Sequence, residues 1–367
     1  MKSLPILILF FFSAIGFANA QKFDTQLRIQ ELLDQRIAKG QFAGGVVGIR
    51  VGEQSYTAAS GYRDLKSELL FEQHTLNRIA SISKSMTAVA ALQLYEQGVL
   101  DLDEPIQTYL PNYPSRHASR ITTRQLLLHS SGIGGYESGK EAQNEQEYTS
   151  LTEAATVFQD RDLVDEPGNA EHYSTYNYVV LDMVIEAVSG QSFEDYMEEH
   201  IWGAIDMENT GVEHLSESYE NKSSVYYRTK KGKVKLSKTN NLTNRIPGGG
   251  FYSTVDDLLS FGHSVIHHQL VNESTFEMMM EKPGLPYEGN PYGMGWFLYG
   301  ENSGGLGQVY GHTGEQTGCS AVLLILPEVD ATVVVMTNTA LALNDAFGLE
   351  LELLGVLKEM KQLQEKN

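Results

Sequence analysis

The sequence predicts an α/β chain of the α+β type, with an antiparallel β-sheet flanked by helices and a mostly helical inserted domain. Strand-like runs occur near both ends of the chain, at 45–60 and 308–337, and the turns that join them are too short for parallel crossovers. Between them, residues 106–244 are polar, rich in loops and interrupted by helical patterns. We therefore predict a signal peptide at 1–20, an α/β sandwich domain from 21–105 plus 245–367, and a helical insert domain at 106–244.

The first 20 residues have the pattern of a secretory signal. Lys2 gives a positive start, Leu4 to Phe12 form a short apolar run, and Ala18-Asn19-Ala20 resembles a cleavage site. A membrane anchor is the alternative, but this run is shorter than the roughly 20 residues that a bilayer span needs. We expect export to the periplasm or the medium, a mature chain that begins near Gln21, and no membrane span after processing.

The N-terminal elements follow from capping and turn residues. Asp24 can cap a first helix that ends at Gly40, and Gly52-Glu53 separates two strands into a hairpin. A second helix begins at Ser81 and ends before Gly98. The predicted strands of the hairpin are Gly45–Val51 and Gln54–Ser60.

The remaining elements are helices in the insert and strands near the C-terminus. The predicted helices are Thr123–His129, Val179–Val188, Thr254–His268 and the amphipathic Asn344–Leu363. The predicted strands are Tyr292–Leu298, Gln308–His312, Gly318–Leu326 and Ala331–Thr337.

The charge of the chain excludes several classes of partner. The formal net charge of −20 would repel phosphate backbones and anionic lipids, so we expect no nucleic-acid partner. The one basic cluster, from Arg228 to Lys238 around Gly232, is interpreted as a solvated hairpin. Cys319 is the only cysteine, so no intramolecular disulfide can form, and its apolar neighbours predict a buried thiol. No pattern in the sequence specifies an oligomeric state.

The first chemical motif is Ser81-Ile82-Ser83-Lys84, at the start of a helix. Residues three apart share a helical face, so the Lys84 amine can reach the Ser81 hydroxyl and activate it. The first turn of a helix also carries unpaired N–H groups, which can stabilise an oxyanion and lower the pKa of Lys84. The other reading is a capping serine followed by a surface lysine.

Two further motifs follow in the chain. Tyr173-Ser174-Thr175 precedes a helix, and a phenol beside Lys84 could move a proton, although most tyrosines only pack. Gly311-His312-Thr313-Gly314 is predicted at the end of a strand, where small residues let a substrate lie alongside the backbone.

Taken together, these motifs resemble those of the serine β-lactamase-like family: class C β-lactamases, D-Ala-D-Ala carboxypeptidases and related serine esterases. The resemblance extends from about residue 24 to 340 and implies the β-lactamase/transpeptidase-like fold. Its further landmarks are Gly98–Pro105, Ile121-Thr122, Leu126–Gly132, Gly248–Thr254, Asp256–Leu258 and Tyr292–Trp296.

The resemblance implies a role for each motif residue. Ser81 would be the nucleophile, Lys84 its activator, and Tyr173 the general base or proton shuttle. His312, Thr313 and Gly314 would form the strand beside the substrate. The backbone N–H groups of Ser81 and Glu315 would form the oxyanion hole.

Two departures from the family pattern affect the expected substrate. Thr175 replaces the usual asparagine, so a short hydroxyl stands where an amide would contact Lys84 and the substrate, which disfavours efficient β-lactam or peptide turnover. His312 replaces the lysine of potent β-lactamases and gives no permanent cation at pH 7. If His312 takes part, the pH profile is expected to show a group in the histidine range.

We therefore predict a serine hydrolase that acts through an acyl-enzyme on a small-molecule ester, amide or peptidoglycan-like substrate, with Ser81, Lys84, Tyr173 and His312 in one cleft. The alternatives are a β-lactamase of modest activity and a penicillin-binding protein without turnover. We expect no cofactor. We also expect no metal site: His263 and His267 share a helix face, but the sequence shows no third ligand. The absence of Gly-x-Ser-x-Gly argues against an α/β-hydrolase.

Overall fold

The computed structural model describes residues 24–302 and 304–365. The predicted signal peptide at 1–20 lies outside these residues. Within them, no helix is both long and apolar enough to cross a bilayer.

The helices agree closely with the sequence patterns. Most begin at a Ser, Thr or Asn whose side chain accepts a backbone N–H, as at Thr122, Ser174 and Thr254. The helices are α1 (24–38), α2 (Ser83–Glu96), α3 (Thr123–Leu127), α4 (Gly139–Ala142), α5 (Leu151–Ala155), α6 (Thr175–Ser189), α7 (Phe193–Met197), α8 (Ile246–Gly249), α9 (Val255–Ile266), α10 (Glu273–Met279) and α11 (Leu343–Glu365).

The strands form one large sheet and two small ones. They are β1 (Gly44–Val51), β2 (Gln54–Asp64), β3 (Leu69–Leu70), β4 (Asn77–Arg78), β5 (Gly211–Val212), β6 (Tyr226–Arg228), β7 (Val234–Leu236), β8 (Phe251–Ser253), β9 (Phe297–Asn302), β10 (Gly307–Gln316), β11 (Cys319–Leu326), β12 (Ala331–Thr337) and β13 (Thr339–Ala340). The large sheet has the order β3-β2-β1-β12-β11-β10-β9 and is antiparallel throughout. This confirms a sheet assembled from both ends of the chain.

Alternation along the strands divides the core between the two faces of the large sheet. In β11, Leu323 and Ile325 join the cluster that contains α2, α6 and α9, whereas Val322 and Leu324 pack with α1 and α11. Close packing depends on small residues: a Cβ on Gly262 of α9 would lie 2.4 Å from Thr332 Cγ2 in β12. Cys319 is fully buried, as expected.

The region at 106–244 contains α3 to α7 and three short strands. The basic cluster forms the β6–β7 hairpin, in which Tyr226 pairs with Leu236, as predicted. The small sheets connect this region to the rest of the chain, because β8 pairs with both β4 and β5, and β13 pairs with β6. The proposed division into two domains therefore remains a prediction.

Two predicted strands need correction. The strand expected at Tyr292–Leu298 is instead Phe297–Asn302, because Gly295 adopts φ +88° and turns the chain before it. The strand expected at Gln308–His312 continues to Gln316, so His312 and Thr313 lie within β10 and not at its end. The extension is stabilised by pairing with β11 down to Cys319.

Candidate active site

Ser81 and Lys84 meet at the N-terminus of the central helix. Ser81 lies in the 3₁₀ turn Ala80–Ile82, which runs directly into α2, and Lys84 is in the first turn of that helix. Lys84 Nζ lies 3.0 Å from Ser81 Oγ, and the lysine is fully buried. The helical spacing thus brings the two side chains into hydrogen-bonding distance.

The neighbours of Lys84 favour a neutral amine. Burial and then the charge of Arg245 hold the pKa of Lys84 well below its ordinary value of 10.5. Lys84 Nζ donates to the carbonyl of Gly248 at 2.6 Å and to Thr175 Oγ1 at 3.3 Å. An amine that uses its two N–H groups in this way keeps a lone pair for the Ser81 hydroxyl.

Tyr173 and Thr175 are positioned by the start of α6. Ser174 caps this helix, because its Oγ accepts from Tyr176 N and donates to the Gly134 carbonyl at 2.9 Å. The Tyr173 ring centroid lies 5.0 Å from Lys84 Nζ. The shorter hydroxyl of Thr175 still contacts Lys84, so the substitution of the usual asparagine does not remove that contact.

Tyr173 is a neutral phenol in this site. The residue is 40% exposed, but the surroundings of its hydroxyl are desolvated, which raises the pKa of that group above 10, and a hydrogen bond with Ser81 opposes the shift. The hydroxyl is therefore placed to pass a proton and is not a phenolate at rest.

His312 is buried behind Tyr173. Its Nδ1 lies 2.6 Å from the Thr313 carbonyl, which can only accept, so Nδ1 carries the proton and Nε2 is the acceptor. Nε2 lies 3.0 Å from the Tyr292 hydroxyl and 3.5 Å from that of Tyr173. Burial and the charge of Lys84 lower the pKa of His312 to about 3. This pKa lies below the histidine range in which the sequence predicted a titration, and the pH profile itself stays a prediction.

β10 runs alongside the 3₁₀ turn that carries Ser81. A Cβ on Gly314 would lie 2.2 Å from the Ile79 carbonyl oxygen, so only glycine allows this approach. Ala80, immediately before Ser81, has φ +48°, a strained conformation that costs about 1 to 3 kcal/mol. Ser81 and Glu315 line one cavity, whereas Thr313 does not.

That cavity has a volume of about 240 Å³ and contains residues that the sequence motifs did not indicate. Arg245, at the cap of α8, and Tyr136 contribute to its wall together with Thr175. Arg245 is 5% exposed, and its guanidinium carbon lies 4.7 Å from the Tyr136 ring centroid. An arginine 161 to 164 positions from Ser81 and Lys84 gives no local signal in the sequence.

A possible set of metal ligands lies apart from this cavity. His263 and His267 are on α9, and the third member of the set is Asp330 in the turn between β11 and β12. The ligand atoms of these three residues all lie within 4.8 Å of one another. None of the three lines the cavity beside Ser81.

Comparison with known proteins identifies a matching family and several solved structures with a similar fold. The family described as Beta-lactamase matches residues 29–354. The human mitochondrial serine beta-lactamase-like protein LACTB is 28% identical over 377 residues, which cover 78% of this chain and 69% of the relative.

Two solved structures have a similar fold. A D-stereospecific amidohydrolase from a Streptomyces species has a TM-score of 0.73 at 25% identity and covers 86% of this chain and 94% of its own. The D-amino acid amidase from Ochrobactrum anthropi, complexed with D-phenylalanine, has a TM-score of 0.80 at 23% identity, with 92% and 99% covered.

Proposed function

This chain belongs to the beta-lactamase family of serine hydrolases, and on that premise we propose that it hydrolyses small esters or D-amino-acid-containing amides through an acyl-enzyme on Ser81. The observation that carries the proposal is the 3.0 Å contact between Ser81 Oγ and the buried amine of Lys84. Acyl transfer needs a nucleophile and a base that can take its proton. Ser81 and the amine of Lys84, whose pKa is lowered, can supply these two groups.

In the acylation step, Ser81 Oγ attacks the carbonyl carbon while its proton passes to Lys84 Nζ. The oxyanion forms beside the 3₁₀ turn, where the N–H groups of Ser81 and Glu315 are proposed to stabilise it. The tetrahedral intermediate then collapses: the bond to the leaving group breaks, and the leaving group takes the proton from Lys84 by way of Tyr173. The products of this step are the acyl-Ser81 ester and the protonated leaving group.

Deacylation uses the same groups in reverse roles. A water molecule attacks the acyl-Ser81 carbonyl and gives its proton to Lys84 through Tyr173. Ser81 leaves with a proton and the carboxylic acid is released. His312 takes part as a positioning residue, because its acceptor Nε2 faces the hydroxyls of Tyr292 and Tyr173.

The proposed substrate class is supported by the charge of the site and by the comparisons. A neutral His312 puts no permanent cation on β10 to meet the carboxylate that β-lactams carry, which supports esters and amides over β-lactams. Two similar structures are named as a D-stereospecific amidohydrolase and a D-amino acid amidase, which supports D-amino acid amides as candidates.

The test is a substrate panel run on the wild type, Ser81→Ala and Lys84→Ala. The panel contains p-nitrophenyl esters, D-alanyl and D-phenylalanyl amides, and nitrocefin. We expect turnover of an ester or a D-amide that both variants reduce by at least about 10³-fold, and slower turnover of nitrocefin. A fluorophosphonate probe should label the wild type and not Ser81→Ala.

Other outcomes would replace the proposal. Absence of fluorophosphonate labelling would mean that Ser81 is not a nucleophile. A stable penicillin adduct without turnover would identify a penicillin-binding protein, and fast nitrocefin release would identify a β-lactamase.

We also propose that the protein is exported, on the basis of the signal pattern at 1–20. N-terminal sequencing of the processed protein should give a chain that begins near Gln21. An intact Met1 terminus on the cytoplasmic protein would contradict export.

A further inference from the structure

The guanidinium of Arg245 is a buried charge in the wall of the Ser81 cavity, and its partners are all neutral. Its Nε donates to Asn244 Oδ1 at 2.9 Å, and its Nη2 donates to the backbone carbonyl of Glu141 at 2.7 Å. The remaining close group is the Tyr136 ring, which accepts the cation on its face. Within residues 24–302 and 304–365, no carboxylate lies within salt-bridge distance of Arg245.

Neither of the acidic side chains nearby forms an ion pair with Arg245 within the described residues. The Glu141 carboxylate binds Arg161 at 3.0 Å and the Tyr176 hydroxyl at 2.8 Å. Glu315 lines the same cavity, but its Oε1 accepts from Leu341 N at 2.5 Å, and desolvation raises the pKa of its carboxyl. The charge of Arg245 also lowers the pKa of Lys84 and so favours its neutral amine. A buried charge of this kind is unfavourable unless something neutralises it.

The position of Arg245 in the cavity indicates which part of the substrate would lie beside it. The cavity extends from Ser81 and Tyr173 past Thr175 and Gly248 to Arg245, and it does not include His312. Tyr173, which is proposed to protonate the leaving group, lies next to His312. The Tyr173 hydroxyl contacts Ser81 and faces His312, so we place the leaving group on that side and the acyl part at the Arg245 end of the cavity.

We propose that Arg245 binds a carboxylate on the acyl part of the substrate, so that the preferred substrates are esters or amides of acids with a second, anionic carboxyl group. This inference rests on the proposed function, because it assumes that Ser81 reacts with the acyl carbonyl. A planar guanidinium can donate two parallel hydrogen bonds to a carboxylate, a geometry that lysine cannot copy.

The test compares two esters of the same length. Mono-p-nitrophenyl adipate carries the carboxylate, and p-nitrophenyl 5-carbamoylpentanoate carries a neutral amide in its place. We expect the wild type to prefer the adipate in kcat/KM by at least about tenfold. Arg245→Gln should lower kcat/KM for the adipate by about 10- to 100-fold and for the amide by less than about threefold, with Arg245→Lys between them. Arg124→Gln is the control, because Arg124 is paired with Asp103 outside the cavity.

A binding measurement separates this inference from the proposed function. Free adipate should raise the thermal unfolding midpoint of Ser81→Ala, and the added Arg245→Gln change should remove that shift. Loss of all ester hydrolysis with this protection intact would overturn the proposed function and support the anion site. Equal use of the two esters, or equal losses on both in Arg245→Gln, would overturn the anion site.

A second inference concerns residues outside the Ser81 cavity and does not depend on the first. His263 and His267 are four residues apart on α9, with ring centroids 4.1 Å apart. Asp330 Oδ1 lies 2.8 Å from His267 Nε2 and 3.8 Å from His263 Nδ1. Glu53, in the turn between β1 and β2, has Oε1 3.7 Å from His263 Nε2.

We infer that His263, His267 and Asp330 bind a divalent transition-metal ion of the zinc type. Two imidazoles and a carboxylate are ligands that suit Zn²⁺, Co²⁺ or Ni²⁺, whereas Mg²⁺ and Ca²⁺ prefer oxygen atoms. The ion would join α9 to the β11–β12 turn, so its role would be to stabilise the sheet and not to catalyse the reaction. No pattern in the sequence places Asp330 beside these histidines.

The test uses the full chain without a histidine tag, after treatment with a chelator. Zn²⁺ should raise the unfolding midpoint by a few degrees, Mg²⁺ should not, and Co²⁺ should give a visible absorption band. His267→Gln and Asp330→Asn should remove both signals, and the exposed His74→Gln should keep them. A zinc shift that persists in His267→Gln, or no shift in the wild type, would overturn the site.

Discussion

At the scale of single residues, the main question is how the proton of Ser81 is moved. Lys84 is fully buried and sits against a fixed acceptor, the Gly248 carbonyl, so one of its N–H directions is determined. The lowered pKa of Lys84 makes the neutral amine available, and the raised pKa of Tyr173 keeps the phenol protonated. The two groups therefore have different tasks: Lys84 accepts the proton, and Tyr173 relays it.

Removal of the Tyr173 hydroxyl tests this relay. We expect Tyr173→Phe to lower kcat by about 10²- to 10³-fold, because the leaving group loses its proton path, with a much smaller change in KM. Steady-state kinetics on the best ester would measure this. Tyr95→Phe, a change at an exposed tyrosine near the end of α2, should leave kcat within about twofold of the wild type. Equal kcat values for Tyr173→Phe and the wild type would exclude the relay.

The sequence could predict only the local part of this site. Ser81 and Lys84 are joined by helical spacing, and Tyr173 and His312 were found from their motifs, so their neighbourhood was expected. Arg245 and Asp330 meet their partners only through the tertiary fold, and no spacing rule connects positions so far apart. The lowered pKa of His312 also cannot be predicted from the sequence, because it depends on complete burial beside Lys84.

At the scale of elements, the site depends on the contact between β10 and the 3₁₀ turn. Gly314→Ala would place a methyl group against the Ile79 carbonyl, which would push the strand away from Ser81. We expect a loss of about 1 to 3 kcal/mol in the free energy of unfolding and at least about tenfold in kcat. Urea unfolding and kinetics would measure the two effects.

The matched control for that change is Gly355→Ala in α11. A Cβ at this position meets nothing within 4 Å, so the variant should be neutral or more stable by about 0.5 to 1 kcal/mol. If Gly314→Ala behaves like this control, β10 does not press against the turn.

The element boundaries show where sequence patterns are sufficient. β12 begins and ends where alternation and turn residues predicted. The error at Tyr292–Leu298 has a tertiary cause: Gly295 turns with φ +88°, and a Cβ there would lie 2.5 Å from Ala88 Cβ. The apolar residues of that segment are thus buried against α2 as a loop, which alternation alone cannot distinguish from a strand.

At the scale of the whole molecule, the buried His312 links stability to pH. Its pKa is about 3 in the folded protein and about 6.5 in the unfolded chain, so below pH 6.5 the unfolded chain binds a proton that the folded protein does not. This contribution therefore lowers stability as the pH falls from about 6.5 to about 3. Burial raises the pKa of Glu171 and of Glu350 to about 7, which acts in the opposite direction as the pH falls.

The contribution of His312 is isolated by comparing variants. Between pH 7.5 and 5.0, the wild type should lose about 1 to 2 kcal/mol more of its free energy of unfolding than His312→Gln does. The two glutamates are present in both proteins, so they cancel in this difference. Urea unfolding at the two pH values gives the measurement, and an equal loss in both proteins would mean that His312 titrates normally.

A buried ion pair links the region at 106–244 to the rest of the chain, in addition to the small sheets. Arg78 in β4 makes two hydrogen bonds to Glu213, at 2.6 and 2.8 Å, and both side chains are 2% exposed. Arg78 also donates to Asn240 Oδ1 and to the Thr317 carbonyl. Burial alone would raise the pKa of Glu213, but the hydrogen bonds and charges of Arg78 and Lys222 lower it below its ordinary value.

Breaking this pair from one side should therefore be more harmful than removing both charges. We expect Arg78→Met to lower the free energy of unfolding by about 3 to 5 kcal/mol, because Glu213 is left buried with one cation fewer. Arg78→Met combined with Glu213→Leu should lose less than the sum of the two single changes, by at least about 1 kcal/mol in a double-mutant cycle. Arg28→Ala, which breaks an exposed pair with Glu359, should lose less than about 1 kcal/mol. Additive losses for Arg78 and Glu213 would show that the pair does not hold these parts together.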